Sequence, residues 1–395
     1  MTDETRSNEN MFSRLKIGTK ILIVTALISM TIIAAVGIIS DISTRGAFEA
    51  EAFNKLTAVR EMKGQQIEDY FDTIAQQIRS LSQSENVIEG MGNLKTGVKS
   101  LSSGVFPSES RKLKLQNFYE TGFSHEYQKN SGGDVSDINI DGLVKIDEMA
   151  QFLQSAYIVD NIHPIGEKNK LLHEADGIYY NGMHRKHHPF FNQYLDKFGF
   201  YDIFLIDHED GRIIYSVFKE VDFGTSLLTG PYKESNLARA FNAARVSTDP
   251  EFVAVVDFEP YTPSYGAPAA FMASPIIHNG NIIGVLAFQM PVDQINDIMT
   301  SQQAWQSVGL GLSGETYLVG ADKLLRSQSR FLIEDRENYL AMIRDTGTPE
   351  ETVKKIGSFD NSIGLQKVDT GGTKAALAGE SNTRIFPDYR GVPVL

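Results

Sequence analysis

Between Gly18 and Ser40 the only charge is Lys20, and Ile21–Ile39 is apolar apart from three hydroxyl residues. Coiled as a helix this stretch spans roughly 34 Å, against about 30 Å for the hydrocarbon core of a bilayer. It is longer than the apolar region of a cleavable signal peptide and runs on into Asp41-Ile42-Ser43-Thr44 without a small-residue cleavage site, which predicts an uncleaved transmembrane signal anchor over residues 18–40. Phe53, Leu56, Val59, Ile67, Tyr70, Phe71, Ile74, Ile78 and Leu81 then recur at three- and four-residue multiples without an intervening proline. That spacing predicts one amphipathic helix over about 41–90, near 70 Å long, a spine shared by several elements whose membrane-proximal part is free to pair with a second copy.

Residues 91–150 are rich in Gly, Ser, Asn and Asp, with a turn at Ser131-Gly132-Gly133-Asp134 and a weak helical patch near Lys112–Tyr119. From Phe200 the period changes to two. Tyr201–Asp207 and Arg212–Phe218 form a hairpin across His208–Gly211, followed by a helix over Tyr232–Arg245 and a strand over Glu251–Phe258. A proline-bearing loop, Glu259–Pro268, leads to a second hairpin, Ala269–Ile277 and Asn281–Met290, turning at His278-Asn279-Gly280. Five mostly antiparallel strands imply one curved sheet covered by helices on one face, with the long helix available as cover. A shorter copy of this order starts at Gly309: strand-like Thr316–Gly320 and Leu324–Ser327, a helix near Glu334–Arg344, and strand-like Thr383–Phe386. The fold class is therefore α+β with two antiparallel sheets, the second incomplete. No residues remain before Leu395 for a closing hairpin or a second crossing, so a fragment of a longer protein is expected. The layout is a cytoplasmic N-terminus (1–17), the anchor (18–40), the long helix (41–90), a membrane-distal module (91–300) and a truncated membrane-proximal module (301–395).

Charge fixes the orientation. Arg14, Lys16 and Lys20 precede the apolar run, whereas Asp41, Glu49 and Glu51 follow it, which leaves residues 41–395 outside the cytoplasm. The formal net charge of −13 comes without a basic tract beyond the first twenty residues, so a groove for nucleic acid has nothing to be built from. With no cysteine, disulfides, thiolate nucleophiles and Cys-ligated zinc are excluded.

The densest ionisable cluster is His184, His187, His188 and Pro189. Two imidazoles do not make a closed metal site, and the acid of an H-E-x-x-H motif is absent, so no metal is expected. The alternatives are hydrogen-bonding or pH-responsive contacts to an anionic ligand, or solvated polar residues leading into a helix. Tyr215, Val217 and Lys219 share one face of the second strand, and Val253, Val255 and Asp257 one face of the third; either set is placed to line a pocket. Asp257 follows an apolar run and, if buried, needs a partner: a ligand amine, a hydroxyl or Lys219. Tyr261, Ser264 and Tyr265 lie in a loop stiffened by Pro260, Pro263 and Pro268, which suits a binding lid or a tight crossover; Phe271 on the fourth strand completes the candidate set. Gly309–Gly314 lacks the Lys-Ser/Thr ending of a phosphate loop and the spacing of a nucleophile elbow, and reads as a turn between modules. No paired carboxylates, Ser-His-Asp order or cyclase metal motif is present, so neither catalysis nor a cofactor is expected within these residues.

The segments FGFYDIFLIDHEDGRIIYSVFKEVDFGTSLLTGPY, DFEPYTPSYGAPAAFMASPI, GVLAFQMPVDQINDIM and GLGLSGETYLVGADKLLRSQSRF, in this order, resemble the double Cache sensor domains of bacterial chemoreceptors, sensor kinases and membrane-bound cyclases, from about Ala58 to the end of the chain. The resemblance implies two PAS-like sheets stacked along one long helix, a small-molecule ligand in the distal sheet, a proximal sheet that relays to a second transmembrane helix, a homodimer, and an inner-membrane protein with a periplasmic sensor. The amino-acid-binding version of the family carries a Tyr, Arg, Trp, Tyr cluster ahead of the first hairpin. This chain has Tyr179, Tyr180, His184, His187 and His188 there, which does not support an amino-acid ligand. The expected function is a ligand-sensing receptor domain of chemoreceptor type; the alternative is the sensory part of a histidine kinase or nucleotide cyclase whose catalytic domain lies beyond residue 395.

Overall fold

The computed structural model describes residues 15–101, 107–130, 138–172 and 177–394. Arg14 and most of the expected cytoplasmic N-terminus, the turn at Ser131–Asp134, and Leu395 lie outside the described residues. Two units are distinguished, residues 1–60 and residues 61–395. In the first, helix α1 (Ile17–Ser82) carries an apolar window of mean hydropathy 2.7 with none of it buried, the one candidate membrane span among the described residues.

In the second unit the C-terminal turns of α1 bury Ile67, Ile74, Ile78 and Leu81, the stripe expected of an amphipathic helix. The helix ends at Ser82, not near residue 90. Ser84 interrupts it, donating its hydroxyl to the Leu81 carbonyl and accepting from the Val87 amide, and thereby caps a new helix, α2 (Glu85–Leu101). The apolar stripe of α2, Val87, Met91, Leu94, Val98 and Leu101, is buried throughout. Four short helices follow: α3 (Glu109–Asn117), α4 (Ser124–Asn130), α5 (Ile140–Val144) and α6 (Glu148–Gln154), with π-helical turns at Phe118–Phe123 and Ser155–Val159. Helix α7 (Tyr179–Phe198) stops at Gly199, whose φ of 73° closes it with a left-handed cap.

Strands β1 (Asp202–Ile206) and β2 (Ile213–Ser216), helix α8 (Asn236–Ala244), and strands β3 (Ala254–Pro260), β4 (Pro268–His278) and β5 (Asn281–Gln289) build one antiparallel sheet in the order β2-β1-β5-β4-β3. Helix α8 starts later than the periodicity suggests because Ser235 caps it, accepting from the Ala238 amide. Since neighbouring residues alternate faces, the register pairs Asp202 with Gln289 and Gln289 with Phe271 on one face, and Leu205 with Tyr215 on the other. Tyr215 faces α7, Ser274 meets Ser82 at 3.2 Å, and a Cβ on Gly284 would collide with Met91, so α1, α2 and α7 cover that face. Helix α8 packs on β3, β4 and β5, and Tyr261 lies against Phe271 on the Asp202 face. Helices covering one face were expected and are found; β1 is buried along its whole length on both faces.

After α9 (Val292–Thr300), a second hydrophobic core gathers Leu325, Leu332, Tyr339, Ile343, Val353, Ile356, Val368 and Tyr389. It is mostly helical, with α10 (Arg330–Glu334), α11 (Arg336–Asp345), α12 (Glu350–Phe359) and α13 (Gly371–Leu377). The expected strands Thr316–Gly320 and Leu324–Ser327 reduce to single bridges, Val319 with Leu325 and Leu324 with Lys367. A two-stranded sheet of β6 (Phe386–Pro387) and β7 (Pro393–Val394) closes the region.

Between the two cores Ser301, Gln302 and Gln303 hold φ of 55°, 54° and 64° in succession. Left-handed backbone costs a residue with a Cβ roughly 1–2 kcal/mol and glycine almost nothing. Gln302→Gly and Gln303→Gly are each expected to stabilise the chain by about 0.5–1 kcal/mol after the unfolded-state entropy of glycine is counted. Thermal melts of the two variants check this; a loss of stability in both contradicts it.

Candidate ligand site

The segment Val217–Phe223 leaves β2 and turns sharply at Lys219, whose φ is 60°. It is held from outside by Gln154, whose amide donates to the carbonyls of Val221 (2.7 Å) and Phe223 (3.0 Å) while its oxygen accepts from the Tyr119 hydroxyl at 2.8 Å. Arg212 adds a bidentate bond to Asp147 (3.0 and 2.9 Å) and a third to the Gly224 carbonyl, tying the cap of α6 to the hairpin. Beside this pinned segment lies a cavity of about 50 Å³, lined chiefly by Ile158, Lys168, Tyr201, Lys219, Glu220 and Tyr265. That is room for several waters or a small molecule.

Its walls carry ionisable side chains. Lys219 is 1% exposed; its Nζ donates to the carbonyls of Ser216 (2.5 Å) and Val217 (3.1 Å) and sits 4.7 Å from the Tyr215 ring centroid, with Phe223 and Tyr157 slightly farther. Burial pushes its pKa down, opposed by the Asp202 charge. Lys168 donates to the Asn161 carbonyl at 2.9 Å and is also pushed down by burial. Glu220 accepts from the hydroxyls of Tyr201 (3.0 Å) and Ser264 (2.9 Å). Burial, then Asp222 and Asp202, raise its pKa well above the usual carboxylate range.

Behind Glu220 are two more carboxylates. Asp222 accepts from the Tyr261 hydroxyl at 2.5 Å, and burial pushes its pKa up to about 6. Asp202 uses one oxygen to accept the amides of Ile203, Val217 and Phe218, while burial and then Asp222 raise its pKa. The second oxygens of Asp202 and Asp222 and the amide oxygen of Gln289 are buried without a hydrogen-bond partner.

The eight residues singled out from sequence fall into five places. Lys219 lines the cavity. Tyr261 and Ser264 reach the carboxylates behind it, with Phe271 against the Tyr261 ring at 5.0 Å. Tyr215 and His184 stand on the α7 side of Lys219: His184 stacks at 4.5 Å on His188, whose Nδ1 bonds the Tyr215 hydroxyl at 2.6 Å. Burial, then Lys219, holds the His188 pKa at about 3, so that imidazole is neutral. His187 turns to α2, pairing with Asn93 at 3.0 Å, away from the cavity. Asp257 lies on the outer side of β3, beside Val255 at 55% exposure, and makes a bidentate ion pair with Arg326 at 2.9 Å through each oxygen, not with Lys219. Among the described residues no group of His, Asp and Glu converges to hold a metal ion.

Lys168, Tyr201, Asp202, Glu220 and Asp222 were not foreseen. The signal available was Lys219-Glu220-Val221-Asp222, three charges in four residues between apolar stretches. A charge run is usually a solvated turn, and nothing local reveals that the π-helical turn at Phe118–Phe123, α6 and the turn before Tyr265 close over this one.

No family model matches the chain, and no curated protein does. Among solved structures it is similar to the sensor domain of the Vibrio cholerae histidine kinase DctB, with 16% identity and a TM-score of 0.21, covering 53% of this chain and 58% of that one. The ligand-binding domain of the Campylobacter jejuni chemoreceptor Tlp3, in complex with 4-methylisoleucine, shares 11% identity at a TM-score of 0.26, over 65% of this chain and 75% of that one. That of the Pseudomonas fluorescens chemoreceptor CtaA, in complex with L-serine, shares 11% at 0.23, over 58% and 70%. The chain thus spans under two thirds of the kinase sensor domain.

Proposed function

We propose that this chain is the ligand-sensing part of a single-pass bacterial inner-membrane receptor, anchored by residues 18–40 and facing the periplasm from residue 41 onward. The observation that carries the reading is the cavity beside Val217–Phe223, walled by Lys168, Lys219, Glu220 and Tyr201. Burying Lys168, Lys219 and Glu220 at its wall costs desolvation of ionisable groups. A site that exchanges hydrogen bonds with a small polar molecule offsets that cost.

The cavity draws its walls from separate segments: the stretch after β2, residues 158–168, and Tyr265 in the loop between β3 and β4. A ligand that bonds across them favours the arrangement in which they close together, and it shifts the population only by its different affinity for the two states. In the receptor reading the homodimer partner supplies the second copy of the long helix against which that shift is read. The residues present here bind; they do not catalyse.

Thermal melts of the full chain in lipid nanodiscs, against small carboxylates, amines, purines and sugars, test this. At about 100 times its dissociation constant a ligand adds roughly 2.7 kcal/mol of stability. At least one class is expected to raise the melting temperature, and Glu220→Gln or Lys168→Met should diminish the response. A folded chain that none of them stabilises overturns the reading.

A further inference from the structure

The loop between β3 and β4, residues 261–267, faces the cavity on one side and the region after α9 on the other. Resting on the sensing role just argued, we propose that this loop carries the state of the cavity to that region, and that the ion pair of Asp257 with Arg326 is the joint through which it does so.

The loop is closed on itself. The Tyr261 amide donates to the Ala267 carbonyl and the Gly266 amide to the Tyr261 carbonyl, both at 3.0 Å, and the amides of Tyr265 and Ala267 donate to the carbonyls of Thr262 and Ser264. Tyr265 and Gly266 take left-handed φ of 58° and 80°, while Pro260, Pro263 and Pro268 remove further backbone freedom. Asn236 ties the two stems together, its amide donating to the carbonyls of Asp257 (3.3 Å) and Ala269 (2.5 Å). A segment bound in this way moves as one body, so a displacement on its inner side reappears on its outer side.

On the inner side Tyr265 lines the cavity and Ser264 donates to Glu220 at 2.9 Å. On the outer side the second region meets the loop and its stems at three points. Arg326 grips Asp257 through both oxygens and also donates to Asp322 at 2.9 Å and to the Leu324 carbonyl at 3.1 Å. Gly320 leaves room for that guanidinium, with which a Cβ would collide. Gly364 lies against the Pro268 ring, and its neighbour Ile363 is buried in the main core. Helix α12 packs on α4, whose Tyr127 hydroxyl would stand 3.1 Å from a Cβ on Gly266.

The geometry of the ion pair suits transmission more than stability. The Arg326 side chain is 10% exposed, whereas Asp257 and Asp322 are about half exposed, so the net stabilisation is small. Two parallel N–H···O bonds nevertheless fix distance and angle together. Arg326 passes that constraint inward: its amide donates to the Leu318 carbonyl at 2.8 Å, and the Leu325 amide donates to the Gln366 carbonyl at 3.0 Å, beside Val368 of the second core. A rival route runs through α9, where the Thr316 hydroxyl donates to the Met299 carbonyl and the Gln328 amide to Asn296. That route leaves Arg326 aside, which makes the two separable.

The test needs no ligand. Amide exchange is followed on the full chain in lipid nanodiscs, with the loop disturbed from its inner side by Ser264→Ala, which removes the bond to Glu220, or at its tip by Gly266→Ala, which sets a Cβ against Tyr127 at a φ that suits glycine. Exchange over residues 318–326 and 364–368 is expected to accelerate about 3- to 10-fold, the equilibrium factor of one hydrogen bond, with α11 at the parent rate. Arg326→Met cuts the joint and leaves Asp257 and Asp322 in water, not a buried charge. In that background either loop substitution is expected to add less than about twofold, whereas an Arg326 with a merely structural role would let the two effects multiply. If Gly266→Ala fails to fold by circular dichroism, Ser264→Ala carries the comparison. Exchange over 318–326 that stays at the parent rate in the folded variants overturns the proposal, as do acceleration spread evenly through α11 and effects that multiply. The thermal screen decides the sensing role separately. A chain that a compound stabilises but whose effects multiply keeps that role and loses this joint. Transfer through Arg326 in a chain that no compound stabilises keeps the joint and refutes the role.

Discussion

Replacing Asp222 with asparagine is expected to raise the stability of the chain at neutral pH by about 1–3 kcal/mol and to flatten its dependence on pH between about 4 and 6. Asp222 is fully buried, and its pKa is pushed up to about 6 from an ordinary value of 3.8. A carboxyl whose folded-state pKa exceeds its unfolded one binds more protons when folded, so stability falls as pH climbs from the unfolded to the folded value. Below about pH 4 the group is protonated in both states and costs nothing; above about pH 6 the whole cost of the buried charge is present. Asparagine removes that cost and still offers the Tyr261 hydroxyl an acceptor. It also takes away the charge that raises the pKa of Asp202 and contributes to raising that of Glu220, which adds to the gain. Melting temperatures of the two proteins across pH check this: the curves should meet at low pH and separate above it. A variant less stable than its parent at neutral pH, with the slope unchanged, contradicts it.

Much of this architecture is legible in the sequence, and what is missing shares one physical cause. The hairpins of the main sheet follow from period-two alternation bounded by Asp210-Gly211 and Asn279-Gly280, and the apolar run of residues 21–39 leaves little choice but an anchor-type helix. Local signals fail where a capping residue or a tertiary contact decides. The break at Ser82–Glu85 depends on one serine hydroxyl, and the stripe of α2 was lost among glycines that Phe191 and Tyr180 approach closely at Gly90 and Gly97. The second region was read as strands because Tyr317-Leu318-Val319 has strand composition; only single bridges form there, and helices supply most of its core. At the site, Lys219, Tyr261 and Ser264 were reached through strand alternation and loop stiffness, whereas Glu220 and Asp222 were passed over as a polar turn. Asp257 was singled out because valines precede it. The strand edge it occupies is half-exposed, and Arg326, sixty-nine residues away in sequence, could not be foreseen as its partner.

Arg330→Met is expected to be the most damaging polar substitution in the second region, costing about 3–5 kcal/mol. The Arg330 side chain is 2% exposed, and its guanidinium donates to the carbonyls of Gly311 (3.2 Å), Gly314 (2.6 Å) and Leu312 (3.0 Å) and to Glu334 at 2.9 Å. It also lies 4.7 Å from the ring of Trp305, the chain's only tryptophan. The stretch Gly309–Gly314, which from sequence is a turn between modules, thus takes its shape from one planar cation that satisfies three carbonyls at once. Methionine keeps much of the volume but leaves those carbonyls and Glu334 without their donor. Lysine is expected to recover little, because a single ammonium at the end of a flexible stem cannot reproduce the fork. The damage should be local before it is global: amide exchange over residues 309–316 should accelerate, and Trp305 fluorescence should shift as the cation leaves its face, at temperatures where α8 and the main sheet remain protected. Unchanged exchange over that stretch, or full rescue by lysine, would show that backbone turns alone hold it.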